Sequence, residues 1–249
     1  MRALELSRTT AEKPLSREGK IRLLERLEFV RLVGGTVGLG TEKPIVCTVE
    51  GFRHNEVPRR QVEIAPFWIC RFKVTNDVFE IFNPTHRRVP QSMGDDMPVV
   101  DVMYGEALTF CRKLNAATGM NFRLPTEPEW VFAAAPPGWE YPHGMEPDVR
   151  AGHVYGDGQE HGAAPVGDPR WKPNWCGLDQ MGYNISELTW GHYRITVGQF
   201  GAETDGVYCM VKGGNYGHCE NSPGVQRRGI FDIADRSTRV GFRLAHGEV

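Results

Sequence analysis

The sequence predicts one irregular α+β domain with short helices, short strands and long loops. Three observations carry this. A chain of 249 residues holding 29 glycines and 17 prolines favours turns over long helices. Apolar residues recur at helical spacing only in brief stretches, bounded by capping residues or by Gly and Pro stops. Alternating extended pieces lie between them, with no repeat, low-complexity tract or interdomain linker.

Composition narrows the functional classes. With 40% hydrophobic residues the chain can bury a substantial core. A formal net charge of −2 leaves no electrostatic footprint for nucleic acid. No apolar run reaches the roughly 18 residues of a membrane-spanning helix, so no membrane partner is expected. The N-terminal stretch M-R-A-L-E-L-S-R lacks the apolar centre of a signal peptide, and a cytoplasmic protein is expected. Six cysteines (47, 70, 111, 176, 209 and 219) form no C-x-x-C pair. Cys70 and Cys111 fall in apolar patterns and read as buried thiols. A reducing compartment argues against a structural disulfide. Cys209 and Cys219 flank the Gly213-Gly214 turn, and whether they approach each other stays open.

The elements follow in order. Ile21, Leu24, Leu27 and Val30 recur at helical spacing and predict an amphipathic helix over 17–30, within an N-terminal extension of residues 1–31. Gly34-Gly35 breaks that pattern, and a domain over residues 32–249 begins. Gln61–Ile64 and Phe67–Phe72 read as strands joined by a turn at Pro66. Thr75 or Asn76 caps a short helix through Phe82, which Pro84 stops. Ala107, Leu108, Cys111 and Leu114 make the stripe of a helix over Tyr104–Thr118, and Gly119 suits its C-terminal cap. Thr126 followed by Glu129 is a capping box, with Pro128 inside the first turn where a missing N–H costs least. Residues 136–176 show no period and read as a packed surface loop stapled by Trp139, Trp171 and Trp175. Val207–Lys212 and Val240–Leu244 are short extended pieces.

Several of these stretches, taken in sequence, carry a family signature. They are F-V-R-L-V-G-G-T-V-G-L-G from Phe29, P-F-W-I-C-R-F-K-V-T-N from Pro66, M-P-V-V-D-V from Met97, and N-F-R-L-P-T-E-P-E-W from Asn121. G-L-D-Q-M-G-Y-N-I-S-E-L-T-W from Gly177 follows, and K-G-G-N-Y from Lys212 opens the segment that closes V-G-F-R-L-A. Over residues 29–245 the chain resembles the formylglycine-generating enzyme (sulfatase-modifying factor) family. The resemblance implies a loop-rich, C-type-lectin-like fold, with the Thr126 helix packed on the Gly177–Trp190 stretch. It leaves function open, because relatives with this fold include oxidases, sulfoxide synthases and binding proteins.

The resemblance also implies candidate sites. Asn184, Ile185 and Glu187 stand where the family supplies oxygen ligands to a structural calcium, a hard cation that prefers such donors. Tyr183 replaces a usual glycine and Ser186 a tryptophan; a polar turn that bonds its own backbone is the alternative. The family's second calcium site does not carry over to Ala151–Tyr155. In the oxidase branch two cysteines follow the Gly-Gly turn at four and nine residues and bind copper(I), a soft ion suited to thiolates. Here those positions are His218 and Pro223, and Cys219 stands alone. A two-thiolate copper site cannot be built; for an oxidase Cys219, with His218 beside it, is the candidate reactive centre, and a loop thiol beside a surface imidazole is the alternative. Arg243 in G-F-R is expected to pair with a buried carboxylate.

Two functions remain. One is an oxidoreductase that modifies a peptide or small molecule through a non-standard active site. The other is a non-catalytic, lectin-like module, such as a diversity-generating-retroelement variable protein, that binds a peptide, protein or small-molecule ligand. Tyr216, Asn215, Arg227, Arg228 and Phe231 are the candidate ligand-binding residues on the C-terminal surface.

Overall fold

The structure is a computed structural model that describes residues 16–42, 58–146, 162–195, 205–217 and 224–247. Among these residues the order is α1 (Arg17–Glu25), β1 (Phe29–Leu32), β2 (Gly35–Leu39), β3 (Arg60–Ile64), β4 (Phe67–Lys73), α2 (Asn76–Glu80), α3 (Tyr104–Thr118), β5 (Phe122–Arg123), α4 (Glu127–Ala134), β6 (Ser186–Ile195), β7 (Gly206–Lys212), β8 (Gly229–Asp232), β9 (Val240–Gly241) and β10 (Arg243–His246). Three small sheets result, ordered β1-β4-β10-β5, β2-β3 and β8-β7-β6-β9. This is the loop-rich α+β, C-type-lectin-like architecture that the sequence predicts. No described helix is long and apolar enough to cross a membrane.

The N-terminal helix is shorter than expected. The Ser16 hydroxyl accepts from the Gly19 N–H and starts α1, which ends at Glu25 rather than continuing to Val30. Residues 29–32 instead form β1, because their aromatic and β-branched side chains suit a pleated surface and β4 offers an open edge. Phe29 pairs with Cys70 and Leu32 with Phe67. Leu23 and Leu27 enter the principal core. Helix and strand thus tie part of the 1–31 extension to the domain.

That core lies between α3 and the sheet containing β4 and β10. Ala107, Cys111 and Leu114 face inward as the stripe predicts, and Phe79, Phe110 and Phe242 pack ring against ring. Gly119 closes α3 in the left-handed conformation, φ 80°. A second core joins α4 to β2 and β3 around Phe67, Ile69 and Trp130.

The capping box forms as read from the sequence. Glu129 N–H donates to the Thr126 hydroxyl (3.3 Å), and the Thr126 N–H donates to a Glu129 carboxylate oxygen (2.8 Å). The same carboxylate takes both Arg123 guanidinium nitrogens at 2.7 Å, fastening the helix start to β5. Trp190 N–H donates to Pro125 O (2.7 Å), so β6 is laid against the entry of α4. The long loop is stapled unevenly. Trp171 is buried, whereas Trp139 and Trp175 are partly exposed, Trp175 donating to Ala133 O at 3.1 Å.

Candidate functional site

Packing of α4 on β6 places Trp130 between two buried carboxylates. On one side lies Glu187, wholly inaccessible. Arg243 donates to both of its oxygens (Nε to Oε2 2.5 Å, Nη2 to Oε1 3.0 Å), Lys73 Nζ lies 3.1 Å from Oε1, and Trp130 Nε1–H donates to Oε2 at 3.0 Å. Arg243 spends further donors on the carbonyls of Cys70, Arg71 and Asp179, and Lys73 on that of Gln180. Burial pushes the Glu187 pKa up, but Arg243 and then Lys73 outweigh it and hold the carboxyl at about 2. Burial lowers Lys73 to about 8 against the pull of Glu187. The expected partnership of Arg243 with a buried carboxylate is therefore present, and its partner is the residue assigned to calcium.

That assignment does not fit the geometry. A calcium ion at Glu187 would have to displace two cations and an indole N–H from a carboxylate they already satisfy. Asn184, at φ 71°, spends its side-chain oxygen on the Ala164 N–H (2.8 Å), and its amide donates to Ala164 O and Gln180 Oε1. Its own carbonyl accepts from Tyr216 N–H at 2.9 Å. Ile185 is a core side chain beside Val100 and Tyr216. A ligand bound only by the native state raises stability. With the Asn184 and Glu187 oxygens engaged, the expected result is no shift in melting temperature between millimolar calcium and chelator. A calcium-dependent rise would restore the ion.

On the other side of Trp130, Glu127 takes Arg228 (Nε 2.5 Å, Nη2 2.7 Å) and Lys212 (3.5 Å). Burial again raises its pKa, and Lys212 and Arg228 bring the net shift down. The Lys212 ammonium sits 5.7 Å from the centre of the Trp130 ring. Lys212 opens the K-G-G-N-Y turn, which is built on the Gly182–Ser186 turn. Gly214 N–H donates to Gly182 O (2.8 Å), and the Ser186 hydroxyl donates to Gly213 O (3.0 Å). Gly213 has φ 77°, and a Cβ there would meet Gly182 at 3.1 Å and Trp130 at 3.2 Å, so a side chain would be strained and would crowd both. His218 and Cys219, the candidate catalytic pair, lie outside the described residues.

Among the described thiols burial dominates. It pushes Cys70 and Cys176 up to about 11, and Cys111 and Cys209 up to about 12. None is a neutral-pH thiolate.

The candidate ligand-binding residues separate. Tyr216 is buried and its hydroxyl bonds Thr238, so it belongs to the core and not to a ligand surface. Asn215 closes the turn, donating to Ser186 Oγ and accepting from Gly217 N–H. Arg228 is committed to Glu127, and Phe231 packs on the principal core from β8. Arg227 alone of the five lines a cavity of about 670 Å³, between β2, the end of α4, the 136–141 loop and Gly224–Arg227. Gln226 fastens that last segment to β2, accepting from Gly40 N–H (2.7 Å) and donating to Gly38 O (2.9 Å). Val225 N–H donates to Glu140 O at 2.9 Å. Phe132, Trp139 and Tyr141 supply aromatic surface, and Arg59 a second guanidinium.

Arg59, Phe132 and Tyr141 were not anticipated from sequence. The signal near Arg59 is Gly38: a Cβ there would come within 2.7 Å of the Arg59 guanidinium, so the glycine lets the arginine lie against β2.

Comparison with known proteins bears on the family and the fold. The family model for the sulfatase-modifying factor enzyme 1-like domain matches residues 20–247. PvdO from Pseudomonas aeruginosa superposes with a TM-score of 0.68 at 22% identity, covering 89% of this chain and 95% of its own. Treponema denticola variable protein 1 gives 0.65 at 18% identity, covering 88% and 94%. The crystal structure of CarF gives 0.64 at 18% identity, covering 90% and 99%. At such identities these likenesses establish the fold alone. No curated protein matches the sequence. The match of the family model over nearly the whole chain makes this protein a member of the sulfatase-modifying factor enzyme 1-like family, one that lacks the paired cysteines after its Gly-Gly turn.

Proposed function

We propose that this protein binds a peptide or small-molecule ligand in the cavity bounded by Gly224–Arg227 and modifies it oxidatively through Cys219. One observation carries the reading: among the described residues the cavity is lined by Gly224–Arg227, in the same segment after the family's Gly-Gly turn that holds Cys219. Concave, partly aromatic sites with a few polar groups are the usual form of a ligand pocket. A lone thiolate is one soft ligand, so copper(I) at Cys219 needs His218 or another side chain to complete its shell.

The test compares wild type with Cys219→Ser for copper(I) binding and for oxygen consumption with thiol-containing peptides. The expected result is tight copper binding and oxygen uptake by the wild type, both lost in the variant. Pro223 at the position of the second cysteine favours a second reading, non-catalytic ligand binding in the same fold. If wild type and variant alike neither bind copper nor consume oxygen, that second reading holds.

A further inference from the structure

The cavity has a polarity that specifies its ligand further, granted that it binds one. Arg227 is half-buried, and its Nη1 is shut off from solvent with no hydrogen-bond partner among the described residues. A buried guanidinium donor without an acceptor is costly, and an anionic acceptor relieves that cost best. The carboxylates around it are otherwise placed. Glu127, facing the neighbouring Arg228, is engaged by Arg228 and Lys212. Glu42 and Glu140 line the cavity but are exposed, where solvation satisfies them. Arg59, exposed like those two carboxylates, adds a second cation that solvent screens. Phe132, Trp139 and Tyr141 provide flat apolar surface in the same cavity.

We propose that the cavity takes a ligand with a flat apolar body and an oxyanion, carboxylate or phosphate, which accepts from the Arg227 guanidinium. Arg59 assists from the rim, and the apolar body rests on the aromatic side chains. The volume of about 670 Å³ lies within the range of small-molecule sites and admits a two-ring body with its anion.

The experiment measures equilibrium binding of three probes to the full chain: 2-naphthoate, 2-naphthyl phosphate and the uncharged 2-naphthamide. At least one anion is expected to bind about ten- to a hundredfold more tightly than the amide, and the better anion identifies the head group. Arg227→Gln is expected to remove that preference while leaving the melting temperature unchanged, because no described hydrogen bond is lost. Trp139→Ala is expected to weaken all three probes together. Equal binding of the amide, or an anion preference that survives in Arg227→Gln, overturns the proposal. In that case probe binding lost in Trp139→Ala still leaves the cavity a ligand site. Failure of all three probes to bind overturns both the anion proposal and the ligand-binding reading of the cavity.

Discussion

Glu187→Gln is expected to destabilise the native state by about 3–5 kcal/mol, the cost of removing one partner from a buried ion pair. The amide is close in shape to the carboxylate, so little packing changes. What changes is that Lys73 and Arg243, both inaccessible to solvent, lose the anion between them. Lys73 can escape part of the cost by losing its proton, since its pKa is already down at about 8. Arg243 cannot. Adding Lys73→Met to Glu187→Gln should therefore recover part of the loss, and the double-mutant cycle measures the coupling. Urea denaturation at neutral pH reads the effect directly. An unchanged midpoint would mean that the centre contributes nothing.

The same centre predicts the acid limb of stability. The folded pKa of Glu187 is about 2, below its ordinary value of 4.5, so the native state binds this proton less readily than the unfolded chain. Its contribution is complete above about 4.5 and is lost as pH falls toward 2. Lys73 acts at the other end. Its folded pKa is also depressed, so stability gains from this group as pH rises from about 8 toward 10.5. In Glu187→Gln the acid limb should flatten.

Trp130→Ala is expected to cost a similar amount, about 3–5 kcal/mol, through the cavity left by a large buried side chain. Trp130 is wholly buried, so no solvent-exposed fraction softens the loss. It also removes the indole N–H from Glu187 and the ring beside the Lys212 ammonium. Trp130→Phe keeps most of the apolar volume and isolates the polar part, which should come to about 1–3 kcal/mol because the hydrogen bond is to a charged acceptor. The alanine variant should also loosen the Gly213-Gly214 turn, which packs on the indole. Chemical denaturation gives the energies, and amide hydrogen exchange at Gly213 and Gly214 reports the turn. A midpoint close to wild type would show that the indole contributes little to stability, and unchanged exchange at the glycines that the turn does not rest on it.

Local chemistry was legible in the sequence. The capping box of α4, the extent of α3 and its glycine cap, the successive strands β3 and β4 and the buried thiols of Cys70 and Cys111 each depend on residues within a turn or two of one another. The ordered blocks identified the family, and with it the loop-rich fold. β6 was not legible as a strand. Its pairing with β7 changes register between Leu188 and His192, which breaks the alternation that sequence reading depends on. Phe29 and Val30, the first half of β1, looked helical because so short a stretch fits either period, and only the open edge of β4 decides between them.

The sequence by itself determined the bounds of α3 and the start of α4, which residues are apolar enough to be buried, and that no second cysteine follows the Gly-Gly turn. Tertiary structure alone decided the partners of the polar residues. An Asn and a Glu in a turn suit a cation equally well whether the cation is calcium or a side chain. The choice for Glu187 falls to Lys73, Trp130 and Arg243, which come from β4, α4 and β10 and meet only when those elements pack. Arg227 and Arg228 are adjacent and chemically identical. One turns to the buried Glu127, the other to the cavity, and that division depends on the fold around them rather than on their sequence.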